Sequence, residues 1–117
     1  MRKKDKQEEW VDMRLGKSLK LFIIPRLLMK KINIRRGNYM EISIEFGAIC
    51  LRRFNFEQDI MSRPHIGVVR KIDHEGRISI PAEYRKVLKI DKEDLLDVFL
   101  QGNVIKIRKR REEIEEG

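Results

Sequence analysis

Short runs of alternating apolar and polar residues, most of them closed by Gly or Pro, fill the middle and end of this chain and predict small strands rather than long helices. Gly67 to Ile72 (GVVRKI) predicts a strand, Asp73 to Gly76 (DHEG) a turn, and Arg77 to Ile80 a second short strand. Pro81 suits the first position of a helix reaching about Leu88, where its missing N–H costs nothing. At about 3.6 residues per turn, Tyr84, Val87 and Leu88 form the core face of that helix, with Arg85, Lys86 and Lys89 opposite. Leu96, Val98 and Leu100 then alternate with Asp97 and Phe99, Gln101-Gly102-Asn103 turns, and Val104 to Lys109 returns, which predicts a hairpin.

The same phrase occurs 56 residues earlier: Lys20 to Arg53 lies beside Gly76 to Lys109 without a gap, with Ile24-Pro25 over Ile80-Pro81. Six of the 34 aligned positions are identical and nine more pair one apolar residue with another, so what recurs is a burial pattern. In the first copy Met40, Ile42 and Ile44 alternate, Phe46-Gly47 turns, and Ala48 to Arg52 returns. Each copy reads strand, turn, strand, helix, hairpin, which predicts a mainly β fold with short helices, a small mixed β barrel. A unit of about 45 residues is too small to hold a core alone, so the copies share one within the chain or between chains.

The chain divides accordingly into a charged N-terminal tail (1–10), a first unit (11–54), a linker (55–65), a second unit (66–110) and a C-terminal tail (111–117). Asn55 to His65 reads as linker because both periodicities lapse there and Pro64 interrupts it. Cys50 is the single cysteine, lies in an apolar strand pattern, and reads as a reduced core residue. The charged start (MRKKDKQEE) has no apolar stretch behind it, and Leu19 to Ile32 is broken by Lys20, Pro25, Arg26, Lys30 and Lys31. No secretory signal or bilayer span is therefore expected, which puts the protein in the cytoplasm.

Charge adds a second constraint: 27 Lys and Arg against 19 Asp and Glu leave a net charge of +8. Such an excess fits a polyanion partner or a merely well-solvated surface. Catalytic motifs fail on inspection. Gly16-Lys17-Ser18 imitates the end of a P-loop, but Val11 stands where the leading Gly belongs and a β pattern follows. His65 and His74 belong to no metal-ligand array, and Asp73 and Glu75 flank a turn rather than forming an acid–base pair. The reading is a protein that is not an enzyme and needs no metal or cofactor.

Basic residues gather instead where the second unit's elements leave them free: Arg70 and Lys71 at a strand end, Arg77 beyond the turn, and Arg85 and Lys86 on the helix. Arginine forks suit phosphate and guanine edges, while lysine supplies a less directional charge. With those residues in view, Gly67 to Leu88 (GVVRKIDHEGRISIPAEYRKVL) resembles the DNA-binding domain of AbrB/SpoVT-type transition-state regulators, a likeness that continues through Lys109. The resemblance implies tandem swapped-hairpin β-barrel units, forming either an intrachain pseudo-dimer or a swapped homodimer, and implies that Arg70, Lys71, Arg77, Arg85 and Lys86 contact DNA.

The first unit is more divergent and resembles the MazE-type antitoxin branch of the same superfamily through Arg14-Leu15-Gly16-Lys17-Ser18 and Ile24-Pro25. With one extra residue allowed before Pro25, Arg14 takes the place of Lys71 and Met13 that of Arg70. Leu21 replaces Arg77 and Met29 replaces Arg85, so most of the DNA-reading set is missing there. Arg14, Lys17, Lys20, Arg26, Lys30 and Lys31 remain as accessory phosphate contacts. Residues 1 to 60 carry 14 basic and 8 acidic side chains and residues 61 to 117 carry 13 and 11, so the more basic half lacks the motif.

The expectation is a transcriptional regulator that binds double-stranded DNA, with the second unit reading bases or groove shape. An antitoxin that also represses its own operon is the first alternative, with a toxin protein as its partner. A barrel that only mediates oligomerisation is the second.

Overall fold

The computed structural model describes residues 10–14, 21–62, 67–91 and 94–110, with 10–14 and 60–62 described by backbone alone. The 1–9 and 111–117 tails, Lys17, Lys20 and residues 63–66 of the expected linker lie outside the described residues.

Among the described residues, eight strands and three short helices follow in order: β1 (Trp10–Arg14), β2 (Leu21–Ile23), α1 (Arg26–Lys31), β3 (Tyr39–Glu45), β4 (Ala48–Phe54), α2 (Phe56–Ser62), β5 (Val68–Lys71), β6 (Arg77–Ser79), α3 (Ala82–Val87), β7 (Leu95–Gln101) and β8 (Val104–Lys109). The fold is mainly β, as the alternation predicts. Six strands form one sheet in the order β1-β7-β8-β4-β3-β5, and β2 pairs with β6 in a second sheet. All these pairings are antiparallel.

The register follows the 56-residue repeat. β4 meets β8 with Cys50 opposite Lys106, flanked by Ile49 opposite Ile107 and Leu51 opposite Ile105. β2 meets β6 with Phe22 opposite Ile78, and Leu21 and Ile23 opposite Ser79 and Arg77. In both cases the central pair joins residues at equivalent places in the repeat, so the pairing is centred on its own pseudo-twofold. The outer strands cross over: β1 pairs with the later hairpin through Arg14 opposite Leu95, and β5 pairs with the earlier hairpin through Lys71 opposite Tyr39. Leu95 and Tyr39 are repeat equivalents, so Arg14 does occupy the place of Lys71, and Met13, opposite Leu96, that of Arg70, opposite Met40.

Matching side chains from both copies fill one core: Phe22 with Ile78, Ile24 with Ile80, Ile34 with Ile90, Ile42 with Val98, and Ile49 with Ile105. Leu28 is fully buried, while its counterpart Tyr84 lies partly buried against the core and donates its hydroxyl to the Ile42 carbonyl at 3.1 Å. That bond satisfies the phenol's polar end, which apolar packing alone would strand. Cys50 is free and buried, and burial pushes its thiol pKa up.

Four local readings differ from expectation. The 55–65 connection contains α2 because Asn55 caps it: its Oδ1 accepts the Glu57 and Gln58 amides at 2.9 and 3.2 Å, and the Asp59 carboxylate accepts the Asn55 amide at 2.7 Å. Phe56 also packs edge-on against Tyr39 and Phe54. Pro81 is the N-cap of α3 rather than its first residue, its carbonyl accepting from Tyr84 N at 3.0 Å. Val87 is 65% exposed and Arg85 is half-buried, so the inward face of α3 is centred on Tyr84, Leu88 and Arg85. Alternation in the hairpins hides a second covered face, since Glu41, Ser43 and Phe99 are buried with their apolar neighbours.

Part of that second face is polar and differs between copies. Arg52 grips Glu45 with two guanidinium N–H groups at 2.6 and 3.0 Å, and Ser43 donates to the same carboxylate at 2.8 Å. At the equivalent places stand Arg108, Gln101 and Phe99, and Arg108 lies over the Phe99 ring at 5.2 Å. The Arg52 hydrogen bond, helped by Ser43, lowers the Glu45 pKa from 4.5 to about 2. A depressed carboxyl stabilises the fold above its unfolded pKa and loses that contribution as pH falls through the folded value. Glu45→Gln should therefore cost about 1 kcal/mol at neutral pH, after allowing for solvent screening of a partly exposed pair. In denaturant titrations the difference from the parent should shrink between about pH 4.5 and about pH 2.

Candidate nucleic-acid interface

β5 delivers Arg70 and Lys71 to an exposed strand end, held by pairing with Met40 and Tyr39 of β3. Lys71 Nζ stands 5.9 Å from the Tyr39 ring centroid, which restrains its long stem. The chain then reverses at Asp73 to Gly76, where Asp73 N donates to Arg77 O at 2.9 Å and Gly76 N to Asp73 O at 3.0 Å. Gly76 has φ +79, the left-handed conformation this turn requires.

Asp73 is the turn's organiser. Its Oδ1 accepts the Glu75 and Arg77 amides at 2.9 and 2.8 Å, and its Oδ2 accepts Arg77 Nε at 2.9 Å. The Arg77 amide, followed by the Glu75 amide and the Arg77 guanidinium, holds the Asp73 carboxyl below its ordinary pKa against the opposing cost of desolvation. Arg77 NH1 also approaches Glu75 at 3.4 Å. Arg77 is thus half-buried and oriented, with the reach of its guanidinium limited by the two carboxylates.

α3 carries Lys86 on its exposed side, whereas Arg85 sinks its stem inward and has a buried Nε with no hydrogen-bond partner. Met29 occupies the equivalent place on α1 and packs partly buried against the core. The helix position is amphipathic in both copies: thioether in one, aliphatic stem with a charged head in the other. Leu21 pairs with Ser79 at the place equivalent to Arg77. Arg26, Lys30 and Lys31 are exposed on α1, and Arg14 ends β1.

The sequence reading missed the loop before β3. Arg35 and Arg36 are exposed there, and Arg36 and Gly37 line one side of a cavity of about 500 Å³ whose other side is Lys71, Ile72, Asp73 and His74. A second cavity of about 490 Å³ lies between Phe46-Gly47 and Leu88, Asp97 and Arg108 to Arg110, with the Phe46 ring fully exposed at the hairpin tip. Among the described residues, no group of three or more His, Cys, Asp or Glu side chains is arranged to hold a metal, and no helix is long and apolar enough to cross a membrane.

The basic strand–turn–helix edge lies within the part of the chain for which comparisons with known proteins find relatives. Residues 69–115 match the family model described as antidote-toxin recognition MazE, bacterial antitoxin. The transition state regulator Abh of Bacillus subtilis (strain 168) is 46% identical over 44 residues, which is 38% of this chain and 48% of the relative. The transition state regulatory protein AbrB of the same organism is 40% identical over 43 residues, 37% of this chain and 45% of the relative. The second half of the chain is thus similar to AbrB- and MazE-type domains, and the stretch it shares with these curated relatives spans about half of their length. No solved structure matches the chain significantly.

Proposed function

We propose that this chain is a transcriptional regulator that acts in the cytoplasm by binding double-stranded DNA through the second unit. The observation that carries the reading is the exposed Arg70-Lys71 strand end set against the Asp73-organised turn, inside the stretch matched to the MazE family model. Arg70, Lys71 and Lys86 supply phosphate contacts, while Arg77, fixed by Asp73, and Arg85, held by its stem, present oriented guanidinium groups. The crossed pairing of β1 with β7 and β5 with β3 supports a tandem swapped-hairpin barrel, in which one chain supplies both halves of a pseudo-dimer. The unit boundaries of 11–54 and 66–110 follow from that reading, with α2 inside the connection. Selecting bound duplexes from a random pool tests it: a common sequence should be enriched, and failure to retain any duplex at low salt would overturn it.

An antitoxin role is the second reading, supported by the MazE family match and by the exposed Phe46 tip, an aromatic of the kind enriched at protein contacts. A second small protein purifying with the chain would favour it.

A further inference from the structure

The loop before β3 and the loop before β7 use one backbone device with opposite charge. In the first, Asn38 N donates to Arg35 O at 3.0 Å and Arg35 N donates to Asn38 Oδ1 at 2.8 Å. In the second, Asp94 N donates to Asp91 O at 3.0 Å and Asp91 N donates to Asp94 Oδ2 at 2.7 Å. In sequence the corresponding stretches are Arg35-Arg36-Gly37-Asn38 in one copy and Asp91-Lys92-Glu93-Asp94 in the other, +2 against −2. The same pair of hydrogen bonds between the end residues, with inverted sequence charge, argues that the two stretches serve different surfaces.

The basic loop is tied directly to the second unit. Gly37 N donates to Ile72 O at 2.8 Å and Ile72 N donates to Asn38 O at 2.9 Å, so the loop is clasped beside Lys71. Gly37, at φ +91 with open space around its α-carbon, makes the sharp bend that leaves Arg36 on the cavity shared with Lys71, Asp73 and His74. The carboxylate on that cavity, Asp73, is already engaged by the Arg77 guanidinium and two amides. The neighbouring Glu75 carboxylate is close to Arg77 and to His74. The cations of Arg36 and Lys71 are therefore the groups that set the field there.

We propose that Arg35 and Arg36, contributed by the first unit, bind backbone phosphates of the duplex that the second unit engages, making one face of the particle the DNA face. This rests on the duplex-DNA reading above and extends it to residues of the other copy. Guanidinium forks suit phosphate oxygens, and the backbone clasp holds the loop beside Lys71 before DNA arrives. The equivalent place in the other half is bounded by Asp91 and by Asp94, which pairs with Lys109 at 3.5 Å, in place of Arg35 and Asn38, so the pseudo-twofold of the fold is not a twofold of the binding surface.

The test is fluorescence anisotropy of the full chain on a duplex from the selection and on a random duplex, across a salt series. Arg36→Ala should weaken binding to both about three- to tenfold at low salt and flatten the log–log salt slope by roughly 0.9, with roughly twice that flattening when Arg35→Ala is added. Arg36→Lys should keep the parent slope. If the alanine variants, folded by circular dichroism, bind with parental affinity and slope while Arg70→Ala/Lys71→Ala binds poorly, this inference fails and the DNA reading stands. If the parent chain binds neither duplex at low salt, both fall.

Discussion

Arg70→Ala combined with Lys71→Ala is expected to reduce affinity for duplex DNA about 10- to 100-fold at low salt and to flatten the log–log salt slope by roughly 1.8, the loss of about two neutralised phosphates. Both side chains are exposed at the end of β5, whose pairing with β3 fixes their positions whether or not DNA is present. Removing them should leave the fold nearly intact, since exposed substitutions outside special sites cost within about 0.5 kcal/mol. Lys71 gives up its contact with the Tyr39 ring. Anisotropy titrations paired with thermal melts check both halves of the expectation. A large binding loss with an unchanged melting temperature supports direct contact, and unchanged binding removes this strand end from the interface.

Gly67→Ala is expected to destabilise the protein by roughly 2–3 kcal/mol through overpacking against the backbone. A methyl group built on Gly67 would stand 2.0 Å from the Ile42 carbonyl oxygen and 2.7 Å from its carbon. That carbonyl also accepts the Tyr84 hydroxyl, so displacing it disturbs both the approach of β5 to β3 and the seating of α3 on the core. For a chain of this size the melting temperature should fall by roughly 10 °C. Gly37, Gly47, Gly76 and Gly102 have open space instead and positive φ, so alanine there meets backbone strain rather than collision. A melt indistinguishable from the parent for Gly67→Ala would show that β5 can move away from β3 at little cost.

The core was legible because burial is what the repeat preserves. Ile24 with Ile80, Ile34 with Ile90, and Ile49 with Ile105 could be paired from spacing alone, and the structure buries all six. Even the one-residue offset that sets Arg14 in the place of Lys71 is visible as a gap in the alignment, and strand register bears it out. What spacing could not convey was which neighbours cover each face. A helical wheel puts Val87 inward, but α3 is short and its tilt is set by Tyr84 reaching Ile42, which turns Arg85 inward instead. Likewise, α2 owes its existence to the Asn55 cap and the Phe56 ring packing, local chemistry that a search for long periodicity passes over.

The candidate site was partly legible for a related reason. Arg70, Lys71 and Arg77 sit in one contiguous motif, so their neighbourhood follows from the turn between them. Arg36 comes from the other copy, 35 residues before Lys71, and joins it only because the strands cross over. The contrast of Arg35-Arg36 with Asp91-Lys92 was present in the alignment, yet nothing in one dimension attached the basic loop to the second unit.

The salt dependence of binding to a selected duplex tests the central claim most directly, because a charged face that grips phosphates must release counterions when it binds. With Arg35, Arg36, Arg70, Lys71 and Lys86 engaged, log affinity should fall linearly with log salt with a slope of roughly −4 or steeper. A slope near zero, or no binding at low salt, would contradict the account.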